Sequence, residues 1–313
     1  MASTGEVTHV WIPQGTPDKY LARLPNDIAL HVLPDDTSSD ASLGPGQFVV
    51  AGFSSREHFP ELIRRIEDVR VVQAMSAGIE DLLGHIPGGA ILCNGAGIHD
   101  ISVAEWTVMA ILAMYRHLPE MVSSMNAARW KRLSIEEMSD LDGVNVLIVG
   151  YGAIGRALEA RLAPFGMNIV RVGRHARTGV HTTSELPELL PQADVVVILL
   201  PLTPETSGFV DAKFIARMKH GALLVNPSRG RVVDTPTLTE AVREQRIRAA
   251  LDVTDPEPLP DGHELWTLPG ILITPHVAGT VKGMFDRAWS LVARQLRKYL
   301  NGEPLDNVVS EGY

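Results

Sequence analysis

The stretch from Asn145 to Phe165 constrains the fold more than any other part of the chain. Asn145-Val146-Leu147-Ile148-Val149 reads as a buried strand and runs straight into Gly150-Tyr151-Gly152-Ala153-Ile154-Gly155, after which residues 156–165 are amphipathic. The order is strand, glycine turn, helix. In such a unit the first glycine permits a tight turn, the second lets backbone approach a pyrophosphate, and the third allows close helix–strand packing. The helix N-terminus adds amides and a positive dipole. A glycine string alone is weak evidence, but here the required strand and helix flank it. Gly150, Gly152, Ala153, Ile154 and Gly155 are therefore assigned to a dinucleotide.

At 313 residues the chain suits two domains better than one core. Apolar runs at residues 7–12, 28–33, 47–51, 69–73 and 90–93 alternate with turn-rich and amphipathic stretches, a parallel β/α pattern. A second series begins at residue 144 and continues at 169–172, 195–200, 223–225, 249–253 and 271–274, giving six expected strands. These runs lack polar alternation, as strands covered on both faces do. Ser102-Val103-Ala104-Glu105 has capping-box spacing and predicts a helix start there. The body of that helix, residues 106–118, is apolar on nearly every side, so it is expected to lie buried between domains or subunits. It is too short to span a membrane. A last helix over about residues 283–300 stops at Asn301-Gly302.

Composition removes several function classes. With 28 Lys plus Arg against 37 Asp plus Glu, the net charge of -9 gives no general attraction to nucleic acid or to an anionic membrane. The single cysteine, Cys93, reads as a core residue, and no Cys/His cluster suggests a metal. Residues 1–8 lack the basic start and apolar core of a signal peptide, so a cytoplasmic location is expected.

Enzymes that use NAD usually carry an acidic residue at the end of the second strand, where it holds the adenosine ribose. Here that strand ends in Gly173-Arg174-His175-Ala176-Arg177, with arginines that suit a 2′-phosphate. NADP(H) is the preferred cofactor and NAD(H) a possible one; Arg174 is ranked above Arg177 as the phosphate partner. The alternative is that both are solvated loop charges.

In an open parallel sheet, ligands bind at the C-terminal strand edge. That edge carries Leu200, Pro201 and Thr206 after the third strand, Pro227, Ser228 and Arg229 after the fourth, and Asp252 and Glu257 after the fifth. His276 and Gly279 follow the sixth, so one arginine, one glutamate and one histidine come to a single edge. Leu200, Pro201, Thr206, Pro227, Ser228 and Gly279 are assigned to the cofactor. Asp252 either meets the nicotinamide carboxamide or simply ends its strand. Asp255 stands in the same acidic, proline-rich loop as Glu257, and Trp266 reads as packing.

With these segments in hand, the sequence resembles the D-isomer-specific 2-hydroxyacid dehydrogenases over most of its length. Ser76-Ala77-Gly78-Ile79-Glu80, Ser102-Val103-Ala104-Glu105, the glycine turn, Asn226-Pro227-Ser228-Arg229-Gly230, Glu257-Pro258-Leu259-Pro260 and Thr274-Pro275-His276 stand in the family's order. The departures are Ser228 for a common alanine, Pro227 before it, Glu80 for Asp, and Gly173-Arg174 for the acidic residue. The resemblance implies an α/β fold of two Rossmann-like, doubly wound parallel-sheet domains. The substrate domain is discontinuous and flavodoxin-like, residues 1–100 and 284–313, and the dinucleotide domain is residues 101–283.

The resemblance also implies roles. Arg229 binds the keto oxygen and carboxylate, His276 is the acid/base, Glu257 partners His276, and Ala77 and Gly78 bind the carboxylate through backbone amides. The chemistry asks for these types, because hydride reduction of a ketone builds negative charge on oxygen that a cation and a proton donor stabilise. The implied activity is hydride transfer between NADP(H) or NAD(H) and a small 2-oxo or D-2-hydroxy acid, glyoxylate- or hydroxypyruvate-like, in a homodimer. Glu257 argues against a formate enzyme, where glutamine partners the histidine. A nucleotide-sensing, corepressor-like binding protein is the alternative from another class.

Overall fold

The computed structural model describes residues 7–34, 41–53, 58–135 and 138–309. The chain divides into two units: one runs to His99 and resumes at Lys282, the other is Asp100–Val281.

The first unit is built on five parallel strands, β1 (Thr8–Ile12), β2 (Ile28–Val32), β3 (Phe48–Ala51), β4 (Val71–Ala74) and β5 (Ile91–Cys93), in the order β2-β1-β3-β4-β5. Strand β1 is paired on both sides, with Val10 opposite Leu30 and Phe48. Alternate residues of the strands enter different cores. Val10, Ile12, Phe48 and Val50 pack under the C-terminal helix, Met284–Leu300, against Trp289, Val292 and Leu296. Trp11, Val49 and Val72 face the short helix α2 (Phe59–Ile63), which follows α1 (Asp18–Leu21). Each such fully buried aliphatic side chain contributes about 1.5–3 kcal/mol.

The second unit opens with α3 (Asp100–Tyr115) and α4 (Leu118–Asn126). Its sheet has seven parallel strands, β6 (Asn145–Val149), β7 (Asn168–Gly173), β8 (His181–Thr182), β9 (Val195–Ile198), β10 (Leu223–Asn226), β11 (Arg248–Leu251) and β12 (Ile271–Ile273), in the order β8-β7-β6-β9-β10-β11-β12. Leu147, Val149, Val196 and Ile198 point to one core, and Val146, Ile148, Val195 and Val197 to the other. Both faces are covered, as the unbroken apolar runs imply. The additional strand is β8, two residues without an apolar run that pair with Val172 and Gly173 at the sheet edge.

One local expectation needs correction. Helix α3 begins at Asp100, so Ser102 lies inside its first turn, 3% exposed, rather than capping it. An acidic residue at the start suits the helix dipole. Part of the apolar body of α3 is covered within its own unit, where Val103, Ala110, Ile111 and Met114 share a core with Leu158 of α5 (Ala153–Leu162) and with the sheet. Exposed apolar side chains remain at Ile101 and Met109 of α3 and at Leu118, Met121, Val122 and Met125 of α4. No helix among the described residues is long and apolar enough to cross a membrane.

Candidate active site

The second unit's sheet reverses its winding at β6, which has β7 on one side and β9 on the other, and the glycine turn leaves β6 at that point. Gly150 has φ +101°, and a Cβ there would lie 2.5 Å from the Leu199 carbonyl oxygen. Only glycine meets both demands. A Cβ at Gly155 would come within 3.1 Å of Tyr151, so its absence lets α5 close onto β6. Gly152, the N-cap of α5, faces open space, which leaves the helix amides approachable by a pyrophosphate. These features fit a dinucleotide.

Around this turn the charges are arranged in layers. Arg171 on β7 grips Glu159 of α5 through Nε at 2.7 Å and through Nη2, and the Tyr151 hydroxyl donates to the same carboxylate. The Arg171 hydrogen bond holds Glu159 below the usual carboxylate range. Arg177 donates from Nη2 to the Tyr151 carbonyl at 2.5 Å and lies over its ring at 5.6 Å. Arg174 is exposed at the strand end. Glu205 sits within reach of its charge; a hydrogen bond from Thr203 is the main cause that lowers the Glu205 pKa, with Arg174 a smaller one. Sequence reading missed this carboxylate because it comes from the loop after β9, on the far side of β6. In that loop the Thr206 hydroxyl donates to the Pro201 carbonyl at 2.6 Å, folding Leu200, Pro201 and Thr206 into one turn.

Strands β10, β11 and β12 are neighbours, and their C-terminal ends present the other candidates. After β10, buried Asn226 organises the turn. Its Oδ1 accepts from Ser228 N and Oγ at 3.1 and 2.7 Å, and its Nδ2 donates to the Arg229 carbonyl at 2.9 Å. Half-buried Arg229 donates from Nη1 to the Ser228 carbonyl at 2.8 Å. The next residue, Gly230, lies against the backbone of Thr254, where a Cβ would stand 1.8 Å from the carbonyl oxygen. That contact seats the Arg229 turn directly on the loop that carries Glu257.

His276 Nδ1 lies 2.5 Å from Glu257 Oε1. A carboxylate only accepts, so Nδ1 donates and Nε2 is the nitrogen turned to other partners. His276 adopts φ 54°, the left-handed region that non-glycine residues seldom occupy. Asp252 imposes it. This carboxylate, 1% exposed, accepts from the Thr274 hydroxyl at 2.5 Å and from the Val277 and Ala278 amides at 2.9 and 2.8 Å. Its carbonyl accepts from His276 N at 2.7 Å. Asp252 is thus a positioning residue for the histidine loop, including Gly279 just beyond it. Trp266 donates from Nε1 to the Pro260 carbonyl at 3.0 Å and so braces the Glu257 loop.

Ala77 and Gly78 belong to the first unit and follow β4 at its C-terminal edge. Ser76 Oγ donates to the Gly78 carbonyl at 2.7 Å, and Gly95 N to the Ser76 carbonyl at 2.7 Å. Cys93 is buried, and desolvation pushes its thiol up to about 11, so it stays protonated.

Fold and side chains define a class: a dinucleotide-binding α/β protein whose strand edge carries an arginine and a carboxylate-held histidine. Comparison with known proteins gives the family. The model for "D-isomer specific 2-hydroxyacid dehydrogenase, NAD binding domain" matches residues 108–278, and the chain belongs to that family. It is 33% identical over 259 residues to a D-3-phosphoglycerate dehydrogenase of Methanocaldococcus jannaschii, covering 80% of this chain and 49% of the relative. The chain thus spans about half the length of that relative. Identity to a glyoxylate reductase of Thermofilum pendens is 32% over 255 residues, covering 78% and 75%. Among solved structures, the NADPH-dependent glyoxylate/hydroxypyruvate reductase of Sinorhizobium meliloti, in complex with NADP and sulfate, superposes with a TM-score of 0.81 at 25% identity. It covers 97% of this chain and 98% of its own.

Proposed function

We propose that this protein moves hydride between a nicotinamide dinucleotide and a 2-oxo or D-2-hydroxy acid, with NADP(H) preferred. The observation that carries the reading is the pairing of His276 Nδ1 with Glu257 Oε1 on the edge that also holds Arg229 and the glycine turn. The bound dinucleotide supplies the hydride. His276 gives a proton from Nε2 to the keto oxygen as charge builds there, and takes it back in the oxidative direction. Glu257 fixes the ring and stabilises it when charged. Arg229 pairs with the keto oxygen and the substrate carboxylate through its planar fork. The amides of Ala77 and Gly78 hold the carboxylate from the first unit. The first unit is accordingly the substrate domain and the second the cofactor domain. Glyoxylate and hydroxypyruvate fall within this substrate class, and the three relatives lend the nucleotide-sensing alternative no support.

The NADP(H) preference rests on Arg174 and Arg177 at the end of β7, and the Sinorhizobium meliloti reductase, which holds NADP, is consistent with it. Glu205 beside Arg174 is its counterweight. The experiment follows absorbance loss from NADPH and NADH with a panel of 2-oxo acids, for the parent protein and Arg174→Ala. Turnover is expected, with KM for NADPH raised about tenfold more than that for NADH by the substitution, the loss of one charge-assisted phosphate contact. Equal effects on both would make Arg174 a surface charge, and silence with every acid would end the dehydrogenase reading.

A homodimer is part of the same proposal. Leu118, Met121, Val122 and Met125 are spaced along one face of α4, and Trp130 and Ile135 beyond it are 93% and 89% exposed. An outward apolar stripe of this kind is suited to a second copy. Light scattering is expected to give twice the chain mass of 34.0 kDa, and the single mass would refute the dimer.

A further inference from the structure

The first unit's sheet has its own point of reversal. Strand β1 lies between β2 and β3, so the loops after β1 and β3 diverge and leave a crevice above the two strand ends. A cavity of about 350 Å³ occupies that place. One wall is the loop over residues 13–17, and Gly52 and Phe53 after β3 form the other. Met75, 2% exposed, also lines the cavity and immediately precedes the Ser76–Gly78 turn. The C-terminal helix adds Phe285 and Trp289.

Four of the lining residues, Tyr20, Phe53, Phe285 and Trp289, are aromatic, beside the polar Gln14 and Thr16 of the loop wall. Phe53 meets Phe285 edge-on with ring centroids 5.7 Å apart, and Tyr20 stacks on Trp289 at 5.9 Å. Among the described lining residues the charged one is Lys19, which is exposed, its ammonium 4.6 Å from the Tyr20 ring centre. Among the described residues of the lining, no buried charge is present to receive a phosphate or a second carboxylate. The volume is at the low end for small-molecule sites, roughly 300–1,000 Å³, enough for one ring.

We propose that this cavity takes the side chain of the substrate, which is therefore a 2-oxo acid bearing a bulky apolar group, best an aryl ring. The inference rests on the dehydrogenase reading, in which Ala77 and Gly78, two and three residues past Met75, hold the carboxylate. An acid anchored there extends its side chain toward rings and a thioether. A glyoxylate molecule would leave that apolar surface wet.

The test compares kcat/KM for phenylpyruvate and pyruvate, and separately measures by calorimetry the binding of D-phenyllactate and D-lactate to the protein. Phenylpyruvate is expected to be favoured at least about tenfold, the scale on which apolar pockets discriminate. Phe285→Ala, which changes a side chain 45% exposed, and Thr16→Trp, which fills the cavity from its loop wall, should each cut that ratio about tenfold. Pyruvate or glyoxylate used as well as phenylpyruvate, with no binding preference for D-phenyllactate, would overturn the assignment and leave the dehydrogenase reading standing. Tighter binding of D-phenyllactate without turnover of any acid would uphold the cavity and overturn the hydride-transfer reading. Silence in both measurements would overturn both.

Discussion

His276→Ala is expected to lower turnover of a 2-oxo acid by about 10²- to 10⁴-fold, the usual worth of a positioned acid, while dinucleotide affinity stays nearly unchanged. The loop around the histidine is tied by Asp252 through Thr274, Val277 and Ala278, none of which the substitution removes. The left-handed backbone at His276 is a complication that a second variant resolves. Asparagine tolerates that conformation better than most residues but offers no acid near neutral pH. His276→Asn should therefore lose as much activity as His276→Ala. Steady-state rates and cofactor titrations check this, and turnover retained within about tenfold in either variant would remove His276 from the mechanism.

Gly230→Ala should damage both stability and activity. The added Cβ would stand 1.8 Å from the Thr254 carbonyl oxygen and 2.2 Å from its carbon, and these are backbone atoms that no rotamer change can move aside. The Arg229 turn and the Glu257 loop must separate. Overpacking of this kind costs about 1–3 kcal/mol. A displacement near 1 Å between groups that act together costs about 100-fold in rate. Urea melts and kcat/KM measured together test the pair of effects, and a variant equal to the parent in both would show that the two loops are not rigidly seated on each other.

What could be read from the sequence was local chemistry. Gly150 and Gly155 announce themselves because a tight turn and a close helix approach depend on neighbours a few residues away. The apolar runs at 146–149 and 195–198 were legible for the same reason. The residues that organise the site were not, because their partners are distant in sequence. Asp252 could be placed at a strand end, yet its bonds to Val277 and Ala278 arise only once β11 and β12 lie side by side. Asn226 looked like the start of a motif, although it folds the turn that bears Arg229. Glu205 approaches Arg174 only because β7 and β9 flank the same strand. Capping-box spacing at Ser102 misled, since Asp100 already begins the helix. The apolar character of α3 is legible in the sequence, whereas the part of its cover that α5 and the sheet supply is not, because those partners lie far along the chain.

The C-terminal helix has a consequence for how the chain is made. Trp289, Val292 and Leu296 complete the core over Val10, Phe48 and Val50, so strands synthesised first wait for residues synthesised more than 180 positions after the crossover at His99. The second unit is continuous from Asp100 to Val281 and needs nothing from either side to bury its two cores. Emerging from the ribosome, the insert can reach its native state while its host is still half open. The sheet that precedes the insert can therefore complete its core only after the whole insert has been synthesised, the order in which incomplete cores are open to misassembly.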